Sequence, residues 1–320
     1  MASLVSSHFC TRRHLVRAAL APMALSMIPG RILATGASSV VYWGTYTEGG
    51  GQYGNGTSKG IYFSRMDAKT GRLTEPELAA ESPNPSWLAV HPNGRYLFAA
   101  NERIGADGKP WPGEVTSFAV SRNGGKLKEI NRVRSRGGQP CHLSIDKTGR
   151  MLVVANWYTG SLASFPINED GTLREVSGFG IQEGARSGAD ASGPQISHCH
   201  SVLTTPDNRF LLATNTGLNK VFVYRLDIGK AGFVAHDPPF LGLEKPTNPR
   251  HLALHPNNRW AYVANEFNPG GCTMLLEGRS CLSYCTSGLQ RTGLNCGVCS
   301  SSVWKLRLLV EPRTQLHRYL

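Results

Sequence analysis

Asn84-Pro85-Ser86-Trp87-Leu88-Ala89-Val90-His91-Pro92-Asn93-Gly94-Arg95, followed six residues later by Asn101, is one copy of a pattern that occurs four times. The other copies run from Gln139 to Asn156, from His198 to Asn215 and from Asn248 to Asn265. Aligned on Arg95, Arg150, Arg209 and Arg259, they lie 55, 59 and 50 residues apart. The sixth residue beyond each arginine is always asparagine: Asn101, Asn156, Asn215, Asn265. Four copies in phase define a repeat architecture.

Each copy reads as strand, turn, strand. Leu252-Ala253-Leu254 stops at Pro256-Asn257-Asn258, and Trp260-Ala261-Tyr262-Val263-Ala264 follows. Asn93-Gly94 and Asp207-Asn208 are turn residues, because they tolerate φ > 0 or bond their own backbone. A third apolar run, Leu162-Ala163-Ser164-Phe165 or Val221-Phe222-Val223-Tyr224, extends two copies. Outside the leader no window carries a sustained 3.6-residue apolar stripe. Three or four short strands every 50–60 residues predict an all-β chain, a β-propeller with about four to five blades; a sandwich would lack the long period.

The surroundings agree. Hydrophobic residues make up 40% of the 320 and charged residues 18%, so a core can form. Glycine (36) and proline (19) are frequent, as turns require. The net charge of +12 is concentrated at the ends: residues 1–36 hold four arginines and no acid, and residues 268–320 hold six basic and two acidic residues. The body, 37–267, has 24 basic and 20 acidic residues and no basic run with interleaved aromatics, so no nucleic-acid partner is expected. Thr11-Arg12-Arg13-His14-Leu15-Val16-Arg17, with the short apolar stretch Ala18 to Ile28 and small residues at 34–37, is similar to a twin-arginine export signal. The mature chain is therefore expected to be periplasmic or secreted, with no membrane span, and cytoplasmic if the leader is not functional.

The segments Tyr42-Trp43-Gly44-Thr45-Tyr46-Thr47, Ser58-Lys59-Gly60-Ile61-Tyr62 and Asp67-Ala68-Lys69-Thr70-Gly71-Arg72-Leu73 resemble the opening blade of the seven-bladed propeller lactonases. That is the 6-phosphogluconolactonase family, which includes the carboxymuconate cyclases. Ser197-His198-Cys199-His200-Ser201, Pro249-Arg250-His251 and Asn265-Glu266 resemble it too, over about residues 40–267. The resemblance implies hydrolysis of a sugar-acid lactone, most readily 6-phosphogluconolactone, by a monomer without cofactor or metal. A muconate-type cyclase, a non-catalytic binding propeller and an inactive truncated fragment are the alternatives.

Propeller blades converge through their first strands, so residues at those strand starts meet. Nine residues before each arginine stand Ser86, Cys141, His200 and Arg250; eight before stand Trp87, His142, Ser201 and His251. Scaffold positions repeat while these vary, as a site grafted on a symmetric fold should. Lactone hydrolysis needs a base for water, a donor for the oxyanion and a cation for the substrate's anion. His200 or Glu266 suits the base, Arg250 the cation, and His142 and His251 the donors. His198, Glu102 and Asn265 are expected to touch substrate. Cys141 and Cys199, each beside a histidine, read as small buried residues. There is no Gly-x-Ser-x-Gly elbow, complete P-loop, His-Glu-x-x-His or EF-hand loop.

After Phe267 the composition changes: Cys272, Cys281, Cys285, Cys296 and Cys299 are five of the eight cysteines. Residues 268–320 are expected to be an irregular, unrelated tail, the product of truncation or a frame shift. A four-cysteine zinc site and disulfides are the alternatives for its cysteines.

Overall fold

The computed structural model describes residues 39–48, 56–103, 112–182, 196–243 and 247–266, together with the backbone of 271–277 and 280–286. The leader, the glycine-rich stretch 183–195 and the end of the chain from 287, with Cys296 and Cys299, lie outside the described residues. Among those described, every regular element is a strand, and no helix is long and apolar enough to cross a membrane.

Nineteen strands form five antiparallel sheets. The first has three: β1 (Ser39–Gly44), β2 (Gly60–Met66) and β3 (Glu77–Glu81). The second runs β4 (Pro85–Val90), β5 (Tyr96–Asn101), β6 (Pro112–Val120), β7 (Leu127–Gly138). The third runs β8 (Pro140–Ile145), β9 (Met151–Asn156), β10 (Ser161–Pro166), β11 (Gly178–Ile181). The fourth runs β12 (Cys199–Thr204), β13 (Phe210–Asn215), β14 (Lys220–Asp227), β15 (Gly232–Gly242). The fifth runs β16 (Pro249–Leu254), β17 (Trp260–Asn265), β18 (Gly271–Glu277), β19 (Ser280–Thr286). The first strands β1, β4, β8, β12 and β16 neighbour one another in that order, which is blade-like packing.

The four repeated turns share one conformation. Gly94, Gly149, Asn208 and Asn258 have φ of 70°, 77°, 57° and 59°, and each donates its N–H back to the carbonyl three residues earlier. Only glycine and asparagine hold that left-handed position at little cost, hence the residue choice before each arginine.

Each gap between successive sheets is filled by its own apolar cluster. Leu97 and Ala99 pack toward Ile61 and Phe63 of the first sheet, while Phe98 and Ala100 pack toward Leu152 and Val154 of the third. Met151 and Val153 meet Leu211 and Val202; Leu212 and Val223 meet Ala261 and Val263. Because both faces are covered, β5 and β9 are buried at every position and read as continuous apolar runs. In β17 burial alternates: Ala261 and Val263 are buried, whereas Tyr262 and Ala264 are exposed.

One expectation is corrected here. The strand pattern does not stop at 267: β18 pairs with β17 and β19 with β18, so the fifth sheet runs on to Thr286. Thr273-Met274-Leu275-Leu276 is an apolar run of strand length, obscured in the sequence by flanking cysteines.

Candidate active site

A β-bulge recurs at the start of β4, β8, β12 and β16. The pairing skips one residue between Pro85 and Trp87, Pro140 and His142, Cys199 and Ser201, and Pro249 and His251. The skipped residues are Ser86, Cys141, His200 and Arg250, the same four positions that the repeat alignment singles out. A bulge leaves its extra residue outside the ladder and re-aims its side chain.

Around these bulges the rings gather. Trp87 stacks on His142 at 3.9 Å between centroids and lies 5.7 Å from His251. His142 and His251 are 6.1 Å apart, and His200 meets His251 edge-on at 5.1 Å. Arg250 Nε lies 3.4 Å from Glu266 Oε2. Glu266 is held beside Arg250 because its N–H donates to Asn248 O at 3.0 Å. Thus His142, His200, Arg250, His251 and Glu266 come together from three successive sheets.

Other expected residues sit differently. Glu102, equivalent to Glu266, is buried rather than solvated, and Tyr46 Oη donates to its Oε2 at 3.1 Å. His198 stacks flat on Trp157 at 3.9 Å, and its Nδ1 is 3.1 Å from Trp157 O. That contact orders the start of β12 and gives the ring a structural use. Asn265 stands opposite Pro249 at the same end of the sheet as its repeats. The buried equivalents Asn101 and Asn215 bond the loop that leads into the first strand, which points to the same use for Asn265, while Asn156 donates to Ser135 O within β7 and to Ser161 Oγ. Trp87 and Tyr46 were absent from the expected set. Trp87 was in phase with His142 and His251; Tyr46 had no repeat to flag it.

Burial sets the electrostatics. His142 is held well below the ordinary histidine range by desolvation, then by His251 and His200. His200 is pushed down to about 3 by desolvation, then by Arg250 and His251. His251 is lowered by desolvation and Arg250. All three rings are therefore neutral at pH 7. Val202 N–H donates to His142 Nδ1 at 3.4 Å, so the neutral ring carries its proton on Nε2 and can donate from there. His200 Nδ1 is buried without a hydrogen-bond partner among the described residues. Burial raises both the Cys141 and Cys199 thiols, so neither is a thiolate nucleophile. Among the described residues no three His, Cys, Asp or Glu side chains are grouped to hold a metal ion.

A pH dependence of stability follows. His200 titrates near 3 in the folded chain against an ordinary 6.5, so between those values the unfolded chain binds about one more proton at this residue. Stability from keeping the ring neutral is whole above pH 6.5 and drains away as pH falls toward 3. Urea unfolding at pH 7, 6, 5 and 4 is expected to show a shallower acid loss in His200→Asn, by about one proton. Parallel curves for the two proteins would contradict the burial of His200.

The family described as "Lactonase, 7-bladed beta-propeller" matches residues 40–270. The 6-phosphogluconolactonase of Bacillus subtilis is 32% identical over 228 residues, covering 71% of this chain and 59% of the relative. The chain thus spans about six-tenths of the length of the curated relatives it matches. The structure of the Pseudomonas aeruginosa periplasmic gluconolactonase is 31% identical with a TM-score of 0.65, over 79% of this chain and 70% of that one. A putative 6-phosphogluconolactonase from Bacteroides fragilis is 26% identical with a TM-score of 0.66, over 78% and 67%. With the repeat, the five blade-like sheets and this match over most of its length, the chain belongs to the seven-bladed β-propeller lactonase family.

Proposed function

We propose that the cluster at the bulges hydrolyses a sugar-acid lactone, with 6-phosphogluconolactone as the first substrate to test. The observation that carries this reading is the convergence of Arg250, Glu266 and three neutral histidines at repeated bulges, where the scaffold is otherwise uniform. The guanidinium of Arg250 binds the substrate's phosphate or carboxylate as a fork. Glu266 takes a proton from water, whose oxygen attacks the lactone carbonyl carbon. His142 and His251 donate to the oxyanion from neutral rings, which need no charge to do so. Collapse breaks the ring C–O bond, and the leaving alkoxide takes up the proton. His200, with its low basicity, is a poor base by Brønsted behaviour and serves better as a polar contact. Trp87 offers an apolar face for the sugar ring.

A second reading, an unphosphorylated sugar lactone, is favoured by the twin-arginine-like leader, because an exported enzyme would not meet a cytosolic phosphosugar. Similarity to a periplasmic gluconolactonase supports it, and Arg250 would then serve a hydroxyl-rich or carboxylate-bearing ring. Acid release from 6-phosphogluconolactone and from glucono-δ-lactone, followed at pH 7 against spontaneous opening, tests both. Turnover above background is expected for at least one, and the preferred substrate selects the reading. Background rates for both would leave a binding propeller.

A further inference from the structure

One sheet breaks the rule the others follow beside the bulge. Across the first two strands, Trp87 pairs with Ala100, His142 with Ala155 and His251 with Ala264: a ring opposite an alanine. In the fourth sheet Ser201 pairs with Thr214. The small Ser201 removes a ring from between the third and fifth sheets, and there His142 and His251 approach each other.

Thr214 is fully buried and its hydroxyl leaves its own sheet. Oγ1 donates to the carbonyl of the bulged Arg250 at 2.8 Å. Having used its one proton there, Oγ1 accepts from Ser201 N–H at 3.1 Å and from the Ser201 hydroxyl at 3.0 Å. The carbonyl of a bulge residue is displaced from its ladder partner, so it needs a donor from elsewhere. The preceding bulge is served in the same way, with Cys141 Sγ 3.2 Å from His200 O.

We propose that Thr214 is a positioning residue, whose hydroxyl fixes the Arg250 bulge and so aims the guanidinium. Its meaning for catalysis rests on the lactonase reading, while its effect on Arg250 does not. The first readout is therefore direct. The Arg250 Nε–H resonance is identified by its loss in Arg250→Lys and then followed in Thr214 variants. Thr214→Val keeps shape and loses the donor; Thr214→Ser keeps the donor. The Arg250 signal is expected to shift or broaden in Thr214→Val and to return in Thr214→Ser. With lactone, Thr214→Val should raise KM about tenfold with kcat within about twofold, and Thr214→Ser should recover it.

An unchanged Arg250 signal in a folded Thr214→Val protein overturns the proposal. So does an equal disturbance in Thr214→Ser, which would mean that packing, not the donor, matters. Should Thr214→Val not fold, Thr214→Ser and Thr214→Cys, a weaker donor, carry the same comparison. A moved signal in a chain without lactone turnover would keep the positioning role and discard the lactonase reading.

Discussion

Arg250→Ala is expected to lower kcat/KM for an anionic sugar lactone by two to three orders of magnitude while leaving thermal stability nearly unchanged. Removing one partner from a charge-assisted contact costs about 2–5 kcal/mol in recognition, and each 1.4 kcal/mol is about tenfold. The small stability effect has a separate cause. Arg250 and Glu266 side chains are 40% and 36% exposed, and their 3.4 Å ion pair is longer than a good hydrogen bond. Such a half-exposed pair contributes about 0–1 kcal/mol to folding. On the lactonase reading, a substrate anion takes the place of Glu266 at the guanidinium and leaves the carboxylate to act on water. Arg250→Lys should recover only part of the loss, because an ammonium cannot form the planar fork. Kinetics and melting curves on the same preparations check both halves. Intact turnover in Arg250→Ala would remove it from the site, and a large drop in melting temperature would make the pair structural.

The parts of this fold legible in the sequence are those dictated by local chemistry. Gly94, Gly149, Asn208 and Asn258 announce their turns because few residues adopt their backbone angles. The runs Tyr96–Asn101 and Met151–Asn156 announce strands because two neighbouring sheets bury both faces. The outermost strands are quieter. β7 carries Lys128, Glu129, Arg132, Arg134 and Arg136 along a largely exposed edge, where charge discourages pairing with another chain and erases apolar alternation. β18 and β19 are quiet for a different reason: the short apolar run of β18 stands among cysteines and lacks the repeat's arginine and asparagine. The bulges were half legible. Repeat alignment picked out Ser86, Cys141, His200 and Arg250, but that they leave the ladder depends on cross-strand register, which a single strand does not encode. The inter-sheet bonds of Thr214 and Tyr46 depend on neighbours about 36 and 56 residues away and had no local signature.

Asn215→Ala is expected to destabilise the chain by about 3–4 kcal/mol. Asn215 ends β13 with no exposure at all. Its Oδ1 accepts from His198 N–H and Leu218 N–H, each at 3.0 Å, and its Nδ2 donates to Ser197 Oγ at 2.7 Å and to Gln182 Oε1. Alanine would orphan two backbone N–H groups, and an unsatisfied buried donor costs about 1–3 kcal/mol. Against a domain stability of about 5–15 kcal/mol, that is a substantial fraction. Asn168→Ala is the control, because its Nδ2 bonds only Thr172 Oγ1 in an exposed turn, where water replaces the contact; about 0.5 kcal/mol or less is expected. The same argument accounts for the asparagine six residues after the arginine in the second and fourth sheets. A short side chain with one acceptor and one donor group reaches back to the segment entering the first strand, as Asn101 does to Pro83 O at 2.7 Å. That segment leads directly into the bulge, so the latch sets where His200 begins. Asn215→Ala should therefore also weaken turnover through His200. A loss below about 1 kcal/mol would mean that water fills the vacated position and that the recurring asparagine is not the latch.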